Sequence, residues 1–147
     1  MAIDEAVLID TGPLVACMNR SDTEHLACVK VFHALPLGKT FTCWPVLTEA
    51  AYLMRARLGI SDPSALLDLV LEDALVVSEI DRRDIGPIKE VFKQYHDQQV
   101  DLADAILLQL AERLDITTIF TTDRRDFRSY RRLNGAPFRL LPDDFSA

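Results

Sequence analysis

Short continuous apolar runs alternate with helical stripes along this chain, and that alternation predicts its fold class. Ala6-Val7-Leu8-Ile9 is an unbroken apolar run, the pattern of a strand buried on both faces. Further strand-like runs lie at 40–43, 74–77, 117–121 and 138–141. Between them the spacing turns helical. Gly12-Pro13 opens a first helix. Ser21 followed by Glu24 has the spacing of a capping box and predicts a second, with Leu26, Cys28, Val29, Phe32 and Leu35 on its apolar side. Trp44-Pro45 starts a third that runs to about Leu58 and closes on Gly59. Asp62-Pro63 caps a fourth, to about Leu71. Gly86 and Pro87 stand near the start of a fifth, carried on by Ile88, Val91, Phe92 and Tyr95. Asn134-Gly135 is a turn signal, and residues 142–147 read as a loose polar tail. The whole, residues 1–147, is expected to be one α/β domain: a parallel sheet with helices on both faces.

One stretch departs from the ordinary pattern. In VDLADAILLQLAERLDITTIFTTDRRDF, residues 100–127, the predicted helix has hardly a polar face, as expected of a helix buried on most sides. Yet Asp101 and Asp104 sit near its start at i, i+3, so both carboxylates point the same way. The strand that follows runs straight into Asp123, just as the first strand runs into Asp10. Each acid alone has an ordinary explanation. Asp10 suits a helix N-cap, and Glu49, early in its helix, suits the macrodipole. Their convergence is harder to dismiss. Parallel sheets bind ligands beyond the carboxyl ends of their strands, where Asp10 and Asp123 fall, and the helices carrying Asp104 and Glu49 can cover that edge. Crowded carboxylates repel one another and resist ionising without a cation. Oxygen ligands with no Cys or His cluster suit Mg²⁺ or Mn²⁺, not zinc or copper. His25, His33 and His96 are read as structural.

Composition narrows the class. At 147 residues, 49% hydrophobic and 27% charged, the chain suits a soluble globular domain with a sizeable core. No apolar run can span a bilayer and the first nine residues lack a signal-peptide pattern, so a cytoplasmic protein is expected. Cys17, Cys28 and Cys43 have no C-x-x-C spacing and read as small core residues. The net charge of −7 excludes a surface that is basic throughout, but Arg124, Arg125, Arg128, Arg131 and Arg132 fall within nine residues after Asp123. They form either a patch for phosphates or a solvated charged face. An acidic pocket beside such a patch fits phosphodiester hydrolysis, and the residues alone stop at a metal-dependent nuclease or phosphatase. The Asp-x-Asp of haloacid-dehalogenase-like phosphatases and the paired acids of receiver domains are missing.

At these residues the chain resembles the PIN-domain ribonucleases, most closely the VapC-type toxins of toxin–antitoxin pairs. The resemblance spans nearly the whole chain and rests on LIDTGPLVA (residues 8–16), Asp22-x-x-His25, PVLTEA (45–50), DLADA (101–105) and TTDRRDF (121–127). It implies a three-layer α/β/α PIN-like fold with a mainly parallel sheet of four to five strands. It also implies Mg²⁺-dependent endonucleolytic cleavage of RNA, with Mn²⁺ a possible substitute, leaving 5′-phosphate and 3′-hydroxyl ends. Carried over residue by residue, Asp10, Glu49, Asp104 and Asp123 match the family's four acids. Asp10, Asp104 and Asp123 would hold the metal, and Asp101 would be a further metal or water ligand. Thr11 and Thr122 would be supporting hydroxyls at the substrate side, and Asp126 would fix the turn. Separately from the resemblance, the charge cluster makes Arg124, Arg125 and Arg128 the expected holders of RNA phosphates. The implied partners are an RNA substrate, a small antitoxin protein lying across the acidic groove, and a second copy in a homodimer. The contrasting expectation is a PIN-like module that binds RNA or protein without cutting, for which four crowded carboxylates have no use.

Overall fold

The sheet is built outward from its most apolar strand. In the computed structural model, which describes residues 2–146, β1 (Val7–Ile9) is the fully buried central strand. Such a run has no solvated face to lose, which is why it lacks the alternation of a half-exposed strand. β2 (Thr40–Thr42) and β4 (Thr118–Phe120) flank it, with Leu8 opposite both Phe41 and Ile119. β3 (Val76–Val77) and β5 (Arg139–Leu141) form the edges, giving the order β3-β2-β1-β4-β5 with every pairing parallel. The order turns back between β1 and β4, and that is where a parallel sheet opens a crevice for ligands.

The helices are α1 (Thr11–Met18), α2 (His25–Ala34), α3 (Trp44–Leu58), α4 (Ser64–Leu71), α5 (Arg82–Gln94), α6 (Leu102–Leu114) and the single turn α7 (Arg124–Phe127). They flank the sheet in the three-layer α/β/α arrangement, α1 packing on α2 and α3, and α5 on α6. α6 is the buried helix its composition predicts: Ala105, Leu107, Leu110 and Ala111 are wholly inaccessible. They join Leu8, Ile9, Leu14, Phe120 and Leu141 in one core. Each fully buried Leu, Ile or Phe is worth about 1.5–3 kcal/mol, so this core fixes the sheet edge on which the acids stand. Cys28 and Cys43 are buried and all three cysteines are free thiols, Cys17 half-buried. Burial pushes the Cys17 and Cys43 thiols up to about 11, so they are poor nucleophiles. No helix of the described residues is long and apolar enough to cross a membrane.

Four local expectations change. The capping box at Ser21 and Glu24 does not form. Asn19 and Asp22 take the backbone amides of Ser21 and Glu24 in a turn, and α2 starts only at His25. α5 starts four residues before Gly86, because Asp81 and Asp84 form the capping box there. Asp84 then continues inward. Buried between α5 and α6, it accepts hydrogen bonds from Gln109 Nε2 at 2.9 Å and from the Arg113 guanidinium. Asp101 caps α6 from outside the helix. The tail is tied down through Phe145: Asp144 accepts from the Leu140 amide, Asp143 pairs with arginines of the α7 turn, and Phe145 packs on the core. Ala147 lies outside the described residues.

Candidate active site

Two strand ends are cross-linked by one hydroxyl. Asp10 occupies the N-cap position of α1, yet its side chain makes no cap hydrogen bond. Instead its Oδ2 accepts from Thr121 Oγ1 at 2.9 Å, just past the end of β4. The same Oγ1 accepts the Asp123 backbone amide at 3.0 Å. The parallel register, Ile9 opposite Phe120, brings these residues together across the sheet. The loops then approach closely at Gly12: a Cβ there would lie 2.1 Å from Thr122 Oγ1 and would force that side chain aside. Of this threonine pair, Thr122 packs against Gly12 in the loop and Thr121 is the one whose hydroxyl touches an acid.

α6 supplies the next carboxylates. Asp101 Oδ1 accepts the Asp104 amide at 2.8 Å, which starts the helix and turns Asp104 inward, where it is 7% exposed. Asp104 Oδ2 accepts from the buried Tyr130 hydroxyl at 3.1 Å. Asp123 caps α7 by accepting the Asp126 amide at 3.3 Å. One oxygen each of Asp104, Asp123 and Asp126 come within 4.8 Å of one another, a spacing a single cation can bridge. Asp126 was expected only to fix the turn; its carboxylate joins the cluster as well. Asp10 and Asp101 lie outside that tight trio, but close enough that their charges act on Asp104. Glu49 stands exposed on α3, its Oε2 accepting from Thr11 Oγ1 at 3.1 Å.

Burial sets the electrostatics. Desolvation, and then the charges of Asp10 and Asp101, raise Asp104 to about 8 against the pull of the Tyr130 hydrogen bond. Desolvation likewise raises Asp10 to about 6, opposed by the Thr11 amide and the Thr121 hydroxyl. Asp123 is shifted in the same direction, burial again leading. Acids held this way gain from any cation that lets them ionise together. The donors are all carboxylate oxygens, a set that fits Mg²⁺ or Mn²⁺.

The arginines are largely spoken for. Arg124 is clamped between Glu24, at 2.8 Å, and Asp143, at 2.7 Å. Arg128 joins Asp143 at 2.9 Å. Arg132 is buried against Glu112 and Asp115, and Arg131 binds the carbonyls of Arg128 and Tyr130. Arg125 alone of the five lines the open cleft of about 650 Å³ with Asp123, Asp126, Gln98 and Gln99. The sequence singled out acids that the fold brings to this edge, together with five arginines of which four are engaged elsewhere. It gave little sign of Thr121, hidden in a Thr-Thr pair, and none of Tyr130, an aromatic that reads as core.

Known proteins share this fold. The PIN domain family model matches residues 7–133. Ribonuclease VapC26 of Mycobacterium tuberculosis (strain ATCC 25618 / H37Rv) is 27% identical over 136 residues, covering 92% of this chain and all of the relative. Among solved structures, VapC20 of Mycobacterium tuberculosis, described as a sarcin-ricin loop cleaving toxin, superposes with a TM-score of 0.73 at 18% identity, over 82% of this chain and 92% of that one. FitAcB from Neisseria gonorrhoeae gives 0.61 at 18% identity, over 90% and 96%. With the family model covering most of its length, the chain belongs to the PIN domain family.

Proposed function

We propose that this protein is an endoribonuclease of the VapC type, hydrolysing RNA phosphodiester bonds with Mg²⁺, or Mn²⁺ in its place. The observation that carries the reading is the convergence of Asp104, Asp123 and Asp126 within 4.8 Å at the carboxyl edge of a parallel sheet, with Asp10 beside them. Asp10, Asp104 and Asp123 would hold the cation, with Asp126 as an added ligand. When bound, it would orient and activate the attacking water and offset the charge developing on the phosphate. Glu49, whose Oε2 accepts from Thr11 Oγ1, would take a proton through Oε1. Asp101, exposed and using only Oδ1 to cap α6, can hold a further water through Oδ2. The cutting test is direct. Protein freed of inhibitor should cleave a mixed RNA pool with Mg²⁺ or Mn²⁺ and stop in EDTA. Silence with both ions would leave a non-catalytic binding module.

Substrate contacts follow from which cations are unpaired. Arg125, which lines the cleft, would hold a phosphate there, while Arg124 and Arg128 brace the turn through Asp143. Arg125→Ala should weaken RNA binding severalfold and reduce the salt slope by about one, whereas Arg128→Ala should leave the slope nearly unchanged. Binding measured in Ca²⁺ over a salt series checks both, and equal slopes for all three proteins would remove Arg125 from the substrate path. The acidic cleft also suits a basic segment of a small antitoxin, and the active form is proposed to be a homodimer in the cytoplasm.

A further inference from the structure

Tyr130 is fully buried, and no step of hydrolysis calls for it. Its ring is held edge-on by Tyr95, centroids 5.0 Å apart at 65°, and by Phe127, 5.0 Å apart at 76°. A ring fixed on two sides cannot swing, so the position of its hydroxyl oxygen is set by packing. It donates to Asp104 Oδ2 at 3.1 Å. Asp104 Oδ1 accepts from no group among the described residues, so the two oxygens of one carboxylate have different duties. Backbone capping by Asp101 fixes where Asp104 starts, and Tyr130 fixes how its carboxylate plane is turned.

We propose that Tyr130 is a positioning residue: its hydroxyl holds Asp104 Oδ2 so that Oδ1 is presented, beside Asp123 and Asp126, to the divalent cation. The inference rests on the reading of this acid cluster as a metal site. Hydrogen-bonded supports of metal ligands characteristically change affinity by 10–100-fold when removed. Tyr95 provides the contrast. It is also buried, but its hydroxyl accepts from the Arg131 amide and Gln94 and touches no acid.

Mn²⁺ titration followed by electron paramagnetic resonance, on wild type, Tyr130→Phe, Tyr95→Phe and Asp104→Asn, tests this. Tyr130→Phe keeps the ring and both aromatic contacts and should raise the Mn²⁺ Kd about tenfold or more. Tyr95→Phe should bind as wild type does. Cleavage by Tyr130→Phe should be poor at Mn²⁺ near the wild-type Kd and recover when Mn²⁺ saturates. Wild-type protein gives a second readout that needs no variant: Mg²⁺ binding should perturb the near-ultraviolet absorption of a buried tyrosine. Equal Mn²⁺ affinity in Tyr130→Phe and wild type, or no tyrosine perturbation in a protein that binds Mg²⁺, would overturn the assignment and leave the metal site standing. Wild type that binds no Mn²⁺, or Asp104→Asn that binds it unchanged, would overturn the metal site itself and this inference with it.

Discussion

Asp104→Asn is expected to stop cleavage and, without metal, to make the protein more stable at pH 8. Asparagine keeps the shape and can still accept from Tyr130, so the change removes charge and little else. Losing a buried anionic ligand should cost at least about 1,000-fold in kcat/KM, about 4 kcal/mol in the barrier. The stability gain comes from proton linkage. Asp104 is raised to about 8 in the folded chain, desolvation leading, whereas in the unfolded chain it titrates near the ordinary carboxylate value. The folded state therefore binds the extra proton, and this favours folding fully below about pH 4 and is lost as pH rises through about 8. Near pH 8 the wild type carries the strain of a charged, crowded Asp104, and the variant does not. Because Asp104 shares its repulsion with Asp10 and Asp101, the gain should be about 2 kcal/mol, or roughly 4–8 °C in Tm. Melts in EDTA at pH 5 and pH 8 measure it, and the advantage should shrink at pH 5. A variant melting at or below wild type at pH 8 would show that the acids are not in conflict.

The second large effect lies away from the site. Arg113→Met should lower Tm by roughly 6–12 °C, because it leaves Asp84 charged and buried between α5 and α6. Removing one partner of a buried pair costs about 3 kcal/mol, more than the pair itself contributes, since the remaining charge keeps its desolvation penalty. Gln109 and the Asp81 amide still reach the carboxylate, but neither brings a positive charge. Adding Asp84→Asn should recover part of the loss, because the amide needs no cation. Calorimetry of the single and double variants decides it. A single variant within 2 °C of wild type, a loss of under about 1 kcal/mol, would mean that water reaches Asp84.

How much was legible follows from where partners sit in the chain. β1 and α6 could be read because their burial is written in consecutive residues, and Asp10 and Asp123 because each ends such a run. The partners of the arginine cluster were hidden for the opposite reason. Arg124 finds Glu24 a hundred positions away and Asp143 nineteen away, and no local pattern announces either pair. The same holds for Tyr130 and Thr121, whose partners Asp104 and Asp10 lie 26 and 111 positions off. The start of α5 was a different failure. Asp81 and Asp84 carry a capping box in plain view, but Gly86 and Pro87 are the stronger punctuation and drew the boundary to themselves.

The placement of β4 beside β1 has a consequence for synthesis. Chains emerge from the ribosome N-terminus first. A partly made chain that has passed β2 and α3 already holds Asp10 and Glu49, but not Asp104, Asp123 or the Thr121 that locks Asp10. β1 meanwhile lacks one of its two neighbours. The acid pocket comes into being only when the last third of the chain arrives and inserts alongside the first strand. If the proposed ribonuclease activity holds, fragments that end before α6 should not cut RNA, because they carry only Asp10 and Glu49 of the acids.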